Sequence, residues 1–542
     1  MTSPAAPDDA GDPAPSDVAG ASVSAATWTL VSRVTGFGRV AVTAAVLGPT
    51  YLGNTFQATN LFPNLVFYLL TGSLFANLLV PPLMRHIDAS DRDGTERLAR
   101  GFLGVVLPVL VAVMALAIVL GPLILRVFAT GVADPAVATD QRRVGFVLLL
   151  LLMPQVPLYG IAFTGAAVMN AHGRFALATG APTVENIGMV ATLGLAALIY
   201  GTGQDVGSVS NAQLLLLGLG TTGSVALHAA LQWWGARRCG VSLVPRFAWR
   251  DPEVRAVVGR AAPSLGYAGL NAGRDFTILV VANRVAGGVV AVQVAYNFYN
   301  LAVAIGARTV ANAALPSLSR LHHRAQTAAF RDELVRVMGL SWFLIVPAAV
   351  ACAVLAHPLA GGVAFGEMAT PSGFALVAAG LMAFSVGVAA DAVFTVATAA
   401  SYAADDARAP YRAMAARTAV SVIAMAVAIS ADEPTTVVFL IGAAVSLGNV
   451  VGAWWLGAAL ARELPTGAEP IAARFLRPVG AAAVMAVPAV LAANAAGGGT
   501  GGPLDRWLAL AMGVVVGGTV FLAASWLGRS PELATLASAV RR

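Results

Sequence analysis

The sequence predicts an all-α integral membrane protein of about fourteen transmembrane helices, set out as two six-helix lobes related by an internal repeat plus two C-terminal helices. Three observations carry that prediction. Of 542 residues, 58% are hydrophobic and only 11% charged, with a mean hydropathy of +0.77, which no soluble domain of this length tolerates on its surface. Runs of about 20 apolar residues, long enough to cross a bilayer as helices, follow one another between turn or charge clusters. None alternates with a period of two over ten residues, which argues against a membrane barrel and leaves helices as the way to satisfy the backbone in lipid.

The chain opens with MTSPAAPDDAGDPAPSDVAGASV, rich in Pro, Ala and Asp and without a basic residue. It lacks the positive start of a signal peptide, and residues 1–24 are expected to form a disordered cytoplasmic tail. Apolar runs at 25–47, 56–83, 101–126, 144–170, 175–201 and 211–236 make the first lobe, 25–236. A cytoplasmic linker, 237–258, carries Arg237, Arg238, Arg246, Arg250 and Arg255. Runs at 259–282, 286–317, 337–365, 371–400, 410–430 and 436–461 make the second lobe, 259–461, and runs at 475–495 and 507–528 close the chain within 462–542.

The 33 basic residues are all arginine. Alternate loops hold most of them: Arg85, Arg92, Arg97 and Arg100, then Arg174, the linker set, Arg320, Arg324 and Arg331, Arg408 and Arg412, Arg462 and Arg474, and finally Arg529, Arg541 and Arg542. The opposite loops hold chiefly Arg126, Arg142, Arg143, Arg284 and Arg506. Positively charged loops stay inside, so both termini are expected in the cytoplasm. The formal charge of +6 expresses this asymmetry. It is no sign of a nucleic-acid partner, since no basic stripe with interleaved aromatics accompanies it. Cys239 and Cys352 and the histidines at 86, 172, 228, 322, 323 and 357 show no metal-ligand spacing. There is no P-loop and no GxSxG with triad partners, so neither a metal site, a cofactor nor an enzymatic activity is expected.

A shift of 235 positions lays GFGRVAVTAAVLG, 36–48, over NAGRDFTILVVAN, 271–283, without a gap. Arg39 then falls on Arg274, Asn77 on Asn312, and VPPL at 80–83 on LPSL at 315–318. A duplicated six-helix unit is a transporter pattern, with its site between the repeats near the midplane. Arg33 and Arg39 fit such a site. Each costs roughly 2.5 to 3.5 kcal/mol at the centre of a membrane helix, and both lie too far from the ends of 25–47 to snorkel, as does Arg274 in its own span. About 9 Å of rise and about 120° separate Arg33 from Arg39. Both face one cleft only if it is wide or if the helix distorts at Gly36 and Gly38. A wide cleft suits a large anionic substrate, and a guanidinium offers a flat fork of donors for phosphate oxygens. Asp275 is a resting partner for Arg274 or a structural ion pair with it, and Glu185 and Asp391 are further acids within spans.

SRVTGFGR, followed by NLFPNLVFYLLTGSLFANLLVP, resembles the opening of the MurJ/MviN proteins, the lipid II flippases of the MOP superfamily. MNAHGRFALATGAPTVENI at 169–187, LPSLSR at 315–320 and AADDARAP at 403–410 are similar to further motifs of that family. The chain departs from the family's charge pattern at Val40, Asn54, Phe67 and Asn297. The resemblance implies a transporter that turns a polyprenyl-diphosphate-linked cell-wall precursor, lipid II or a similar lipid, from the inner to the outer leaflet of a bacterial plasma membrane by alternating access. Arg33 and Arg39 would hold the diphosphate. Arg274 and Arg308 are inferred to supply the charge missing elsewhere, with Asn60, Asn64, Asp275, Glu185, Asn186 and Asn297 as supporting cavity residues. The last two helices would form a groove for the lipid tail, and a membrane potential or a gradient of an unidentified ion would supply the drive, with no cofactor. The expected partners are the lipid-linked saccharide, membrane lipids and cell-wall synthesis proteins. A paralogous flippase for another lipid-linked glycan, a non-transporting cell-wall scaffold and a MATE-like antiporter share the fold and stay open on the sequence alone.

Overall fold

The computed structural model describes residues 15–71, 78–259, 262–465, 471–497 and 502–540, most of them helical and none in a β-strand. The first lobe comprises α1 (Pro15–Leu47), α2 (Tyr51–Thr71), α3 (Val80–Asp88), α4 (Arg92–Val119), α5 (Gly121–Phe128), α6 (Pro135–Leu152), α7 (Gln155–Ala171), α8 (Phe175–Tyr200) and α9 (Asn211–Arg238). The short α10 (Pro252–Gly259) leads to the second lobe: α11 (Ala262–Ala282), α12 (Gly288–Val303), a π-helical turn (Ala304–Arg308), α13 (Thr309–His323), α14 (Thr327–Val354), α15 (Ala356–Val363), α16 (Pro371–Ala403), α17 (Arg408–Ile429) and α18 (Pro434–Glu463). Then come α19 (Ile471–Ala495), α20 (Pro503–Leu527) and α21 (Pro531–Val540).

Among the described residues, 12 helices or paired helices are long and apolar enough to cross a membrane. The fourteen expected spans are reached only by adding α2 and α11. Asn54, Gln57, Asn60 and Asn64 in α2, and Asn271, Arg274 and Asp275 in α11, lower the hydropathy of both. Several boundaries also move. Residues 15–24, expected in the disordered tail, belong to α1, where the alanines of DVAGASVSAA favour helix and Pro15 suits a first position; residues 1–14 of that tail lie outside the described residues. The second span starts at Tyr51 because Thr50 caps it, its hydroxyl 3.0 Å from the Gly53 amide. The run at 56–83 is divided between α2 and α3, with 72–77 outside the described residues. The linker is partly structured: the Arg246 amide donates to the Arg100 carbonyl at 3.0 Å, and His86 joins α3 to α10 through Glu253 at 2.8 Å.

The repeat appears in the element boundaries. Helices α4 and α14 have 28 residues each, and α5 and α15 have eight each. All four limits of the first pair map onto those of the second by the same 235 positions. Two halves related by a two-fold axis also require a residue on that axis to meet its own equivalent. Asn54 does so: its Oδ1 accepts from the amide of Val289, 235 positions on, at 3.0 Å.

The lobes meet across this axis at one end of the molecule. Phe37 of α1 stands edge-on to Phe298 of α12 at 5.1 Å, and Phe62 of α2 lies 6.0 Å from Phe276 of α11. At the turns between these helices, Gly48 and Gly287 have φ of +66° and +72°. A Cβ at either would be strained and would strike Glu367 or Pro49 of the opposite lobe. Three amides, all fully buried, seal the seam. Asn54 Nδ2 donates to Asn283 Oδ1 (3.1 Å) and to the Val285 carbonyl (2.7 Å). Asn283 and Gln141 exchange two bonds of 3.0 Å, and Asn283 Nδ2 also donates to the Phe128 carbonyl at 3.0 Å. Helices α19 and α20 pack outside the lobes on α14, with the Trp342 indole donating to the Phe475 carbonyl at 3.0 Å and Phe343 against Phe521 at 5.1 Å.

Candidate functional site

Away from the seam lies a cavity of about 1350 Å³ that reaches Ala407 in the turn before α17. Leu65 of α2 borders it from the first lobe, and α11, α12, the π-turn, α16 and α17 supply the other walls. Arg274 on α11 is 1% exposed. Its Nη2 donates to Asp275 Oδ1 (3.0 Å), Asn271 Oδ1 (2.9 Å) and the Tyr296 hydroxyl (3.2 Å), while Nη1 is buried without a partner among the described residues. Deeper, Arg417 of α17 donates to Asp391 of α16 at 2.5 Å and lies 4.9 Å over the Phe394 ring. Tyr296 and Tyr299 stack at 5.1 Å, and Tyr299 accepts from Asn449 of α18 at 2.8 Å. Arg308, Arg408 and Arg412 also line the cavity; Arg308 sits in the π-turn, a distortion common at functional positions.

Of the residues expected from sequence, Arg274, Asp275 and Arg308 line this cavity, whereas Arg33 and Arg39 are not in its lining. Arg33 is exposed and has no hydrogen bond or ion pair among the described residues. It lies one turn before Phe37 on the same face of α1. Arg39 is held within the first lobe, 4.0 Å from Glu185 Oε1 and 3.3 Å from Met189 Sδ of α8. Asn186 ties α8 to α1, donating to the Ser32 carbonyl and the Thr35 hydroxyl at 3.2 Å each. Asn60 is buried, Asn64 lies beside Tyr159, and Asn297 turns back to the Gln293 carbonyl of its own helix at 2.7 Å.

The departures from the family's charge pattern are filled by packing. Val40 is in the first-lobe core, Asn54 is in the seam, and Phe67 stacks on Phe163 at 5.0 Å and leans on Tyr159 at 5.7 Å. Sequence reasoning missed Arg417, Tyr296 and Tyr299, and it treated Arg408 and Arg412 only as markers of topology. A signal existed for Arg417: it is an arginine seven residues inside an expected span, where a charge marks a functional or paired site.

The family model described as "Lipid II flippase MurJ" matches residues 43–499. The probable lipid II flippase MurJ of Rhizobium tropici is 27% identical over 398 residues, 72% of either chain. Its namesake from Vibrio cholerae is 25% identical over 393 residues, 71% of this chain and 72% of its own. Among solved structures, a lipid II flippase MurJ in an inward closed conformation superposes with a TM-score of 0.72 at 16% identity, covering 93% of this chain and 98% of its own. An inward-facing MATE transporter of the MOP superfamily reaches 0.62 at 13% identity, over 79% and 95%.

Proposed function

The chain belongs to the MurJ lipid II flippase family, and from that premise we propose that it carries lipid II, or a closely similar polyprenyl-diphosphate-linked saccharide, between the leaflets of a bacterial inner membrane by alternating access. The observation that carries this reading is the charge of the cavity. Five arginines (Arg274, Arg308, Arg408, Arg412 and Arg417) line it against two aspartates (Asp275 and Asp391), leaving a surplus of positive charge for a diphosphate. That surplus argues against a cationic drug as cargo.

The seam end is assigned to the outer face and the cavity mouth to the cytoplasm, as the arginine distribution requires. The lipid tail is placed along α19 and α20, whose exposed Leu476, Val484, Leu491 and Trp526 present apolar surface. Driving force comes from the membrane potential or an ion gradient, one charge through 100 mV being worth about 2.3 kcal/mol.

Two results are expected. Expression of the chain should restore growth to a strain depleted of its lipid II flippase, and the Arg33→Ala, Arg39→Ala double variant, present at normal level in the membrane, should not. A wild-type chain that reaches the membrane without restoring growth overturns the assignment of cargo. Single cysteines placed in 83–100, 237–258 or 318–336, and at either terminus, should resist a membrane-impermeant maleimide applied to intact cells; labelling of any one reverses the orientation.

A further inference from the structure

Three helices of the first lobe converge on a buried acid that the cavity does not use. Glu185 of α8 is 9% exposed, His228 of α9 4% and Tyr159 of α7 5%. His228 Nδ1 lies 2.8 Å from Glu185 Oε2, and the Tyr159 hydroxyl donates to Oε1 at 3.1 Å. Arg39 of α1 stands 4.0 Å from that same oxygen. Asp140, Arg142 and Arg143 of α6, the remaining helix against α9, lie in its first half toward the seam end. Glu185 is ten residues from the start of α8, and His228 is ten from the end of α9. At 1.5 Å per residue both sit roughly 15 Å deep, near the middle of the bilayer.

The imidazole is held in one tautomer. Pro182 has no N–H, so the Ala178 carbonyl one turn before it lacks a helical donor. Gln232 Nε2 takes that place at 3.0 Å and lies 3.5 Å from His228 Nε2. An ionised carboxylate can only accept, so with Glu185 charged the proton of the neutral ring is on Nδ1, 2.8 Å from Oε2, and the Gln232 amide lies on the Nε2 side. Such a pair holds either one proton or two.

We propose that Glu185 and His228 form a proton-binding site loaded together with the anionic cargo; the joint loading rests on the reading given above, whereas the proton site does not. With one proton the pair is negative and is the counter-charge of Arg39. A second proton, taken from water in the cleft, makes the pair neutral and leaves the Arg39 guanidinium to a diphosphate. Proton and anion therefore favour each other's binding, by equal factors in either direction. The equivalent pair of the second lobe makes no such exchange. Asp391 and Arg417 lie 232 positions beyond Tyr159 and Glu185, respectively, and the guanidinium there keeps its proton at any relevant pH.

The test uses the full chain in nanodiscs. Infrared difference spectra recorded as the sample is taken from neutral pH into the acid range should show a protonated carboxyl appearing, absent in Glu185→Gln and displaced in its midpoint by His228→Asn. Farnesyl diphosphate, as the anionic probe, should bind about tenfold more tightly at the acid end of that range, with proton uptake from a weakly buffered medium. Glu185→Gln should bind it at the tighter affinity at every pH. Absence of a Glu185-dependent carboxyl signal overturns the proton site. A titrating signal with pH-independent binding overturns the joint loading, and no binding at any pH overturns the anionic-cargo reading and the joint loading with it.

Discussion

Asn283→Leu should part the lobes at the seam. The substitution removes the side chain by which the turn after α11 holds Gln141 and Asn54, and it leaves the Phe128 carbonyl and the Gln141 Oε1 buried without a donor. Each orphaned buried group costs about 1–3 kcal/mol. Two of them amount to a shift of at least tenfold toward conformations in which water reaches these atoms. Electron-spin distances between labels at Ser208 and Phe365, exposed residues of opposite lobes, should gain a longer component, after replacement of Cys239 and Cys352. Asn283→Asp keeps the shape but turns donors into an acceptor and should move the distances the same way. Wild-type distances in both variants would show that the amides do not hold the seam.

The second large effect is expected at the ion pair of the second lobe. Arg417→Leu leaves Asp391, 6% exposed, without its partner. Removing one member of a buried pair costs about 3–5 kcal/mol, whereas replacing both by apolar groups is often neutral. Thermal unfolding in detergent should therefore show a marked loss for Arg417→Leu and recovery of most of it in the Arg417→Leu, Asp391→Leu double variant. A double variant no more stable than the single one would mean that the guanidinium stabilises through its packing on Phe394 and not through the pair. The double variant leaves the cavity's surplus of positive charge unchanged, four arginines against one aspartate, so transport should recover with the stability.

The fold was legible where it depends on hydropathy and on register. The spans are long apolar runs, and the repeat survives in the chain as Arg39 over Arg274, which the matched limits of α4 and α14 bear out. Breaks such as those between α4 and α5 were not legible, because a run apolar on both sides of a break reads as one span. The site was legible only one residue at a time. Arg274 and Asp275 adjoin in sequence and could be paired, whereas the meaning of His228 depends on Glu185, 43 positions away on another helix. Asn283 and Gln141 are ordinary polar residues at span ends until the lobes are brought together, and Asn54 stood out only for lacking an acid.

That lack matters for the environment the outer end would face. The latch at the seam is made of Asn54, Asn283 and Gln141, none of which gains or loses a proton between strong acid and strong base. A carboxylate in the same place would answer to acidity and to dissolved salt; carboxamides answer to neither. The amide part of the closure is therefore indifferent to both, whereas the bond from the Thr202 hydroxyl to Glu367 across the same lobes, 2.5 Å long, answers to acidity. Each amide bond is worth only about 0.5–1.5 kcal/mol net over its hydrated form, so the amide latch holds against the medium yet opens to modest work done from the cavity side.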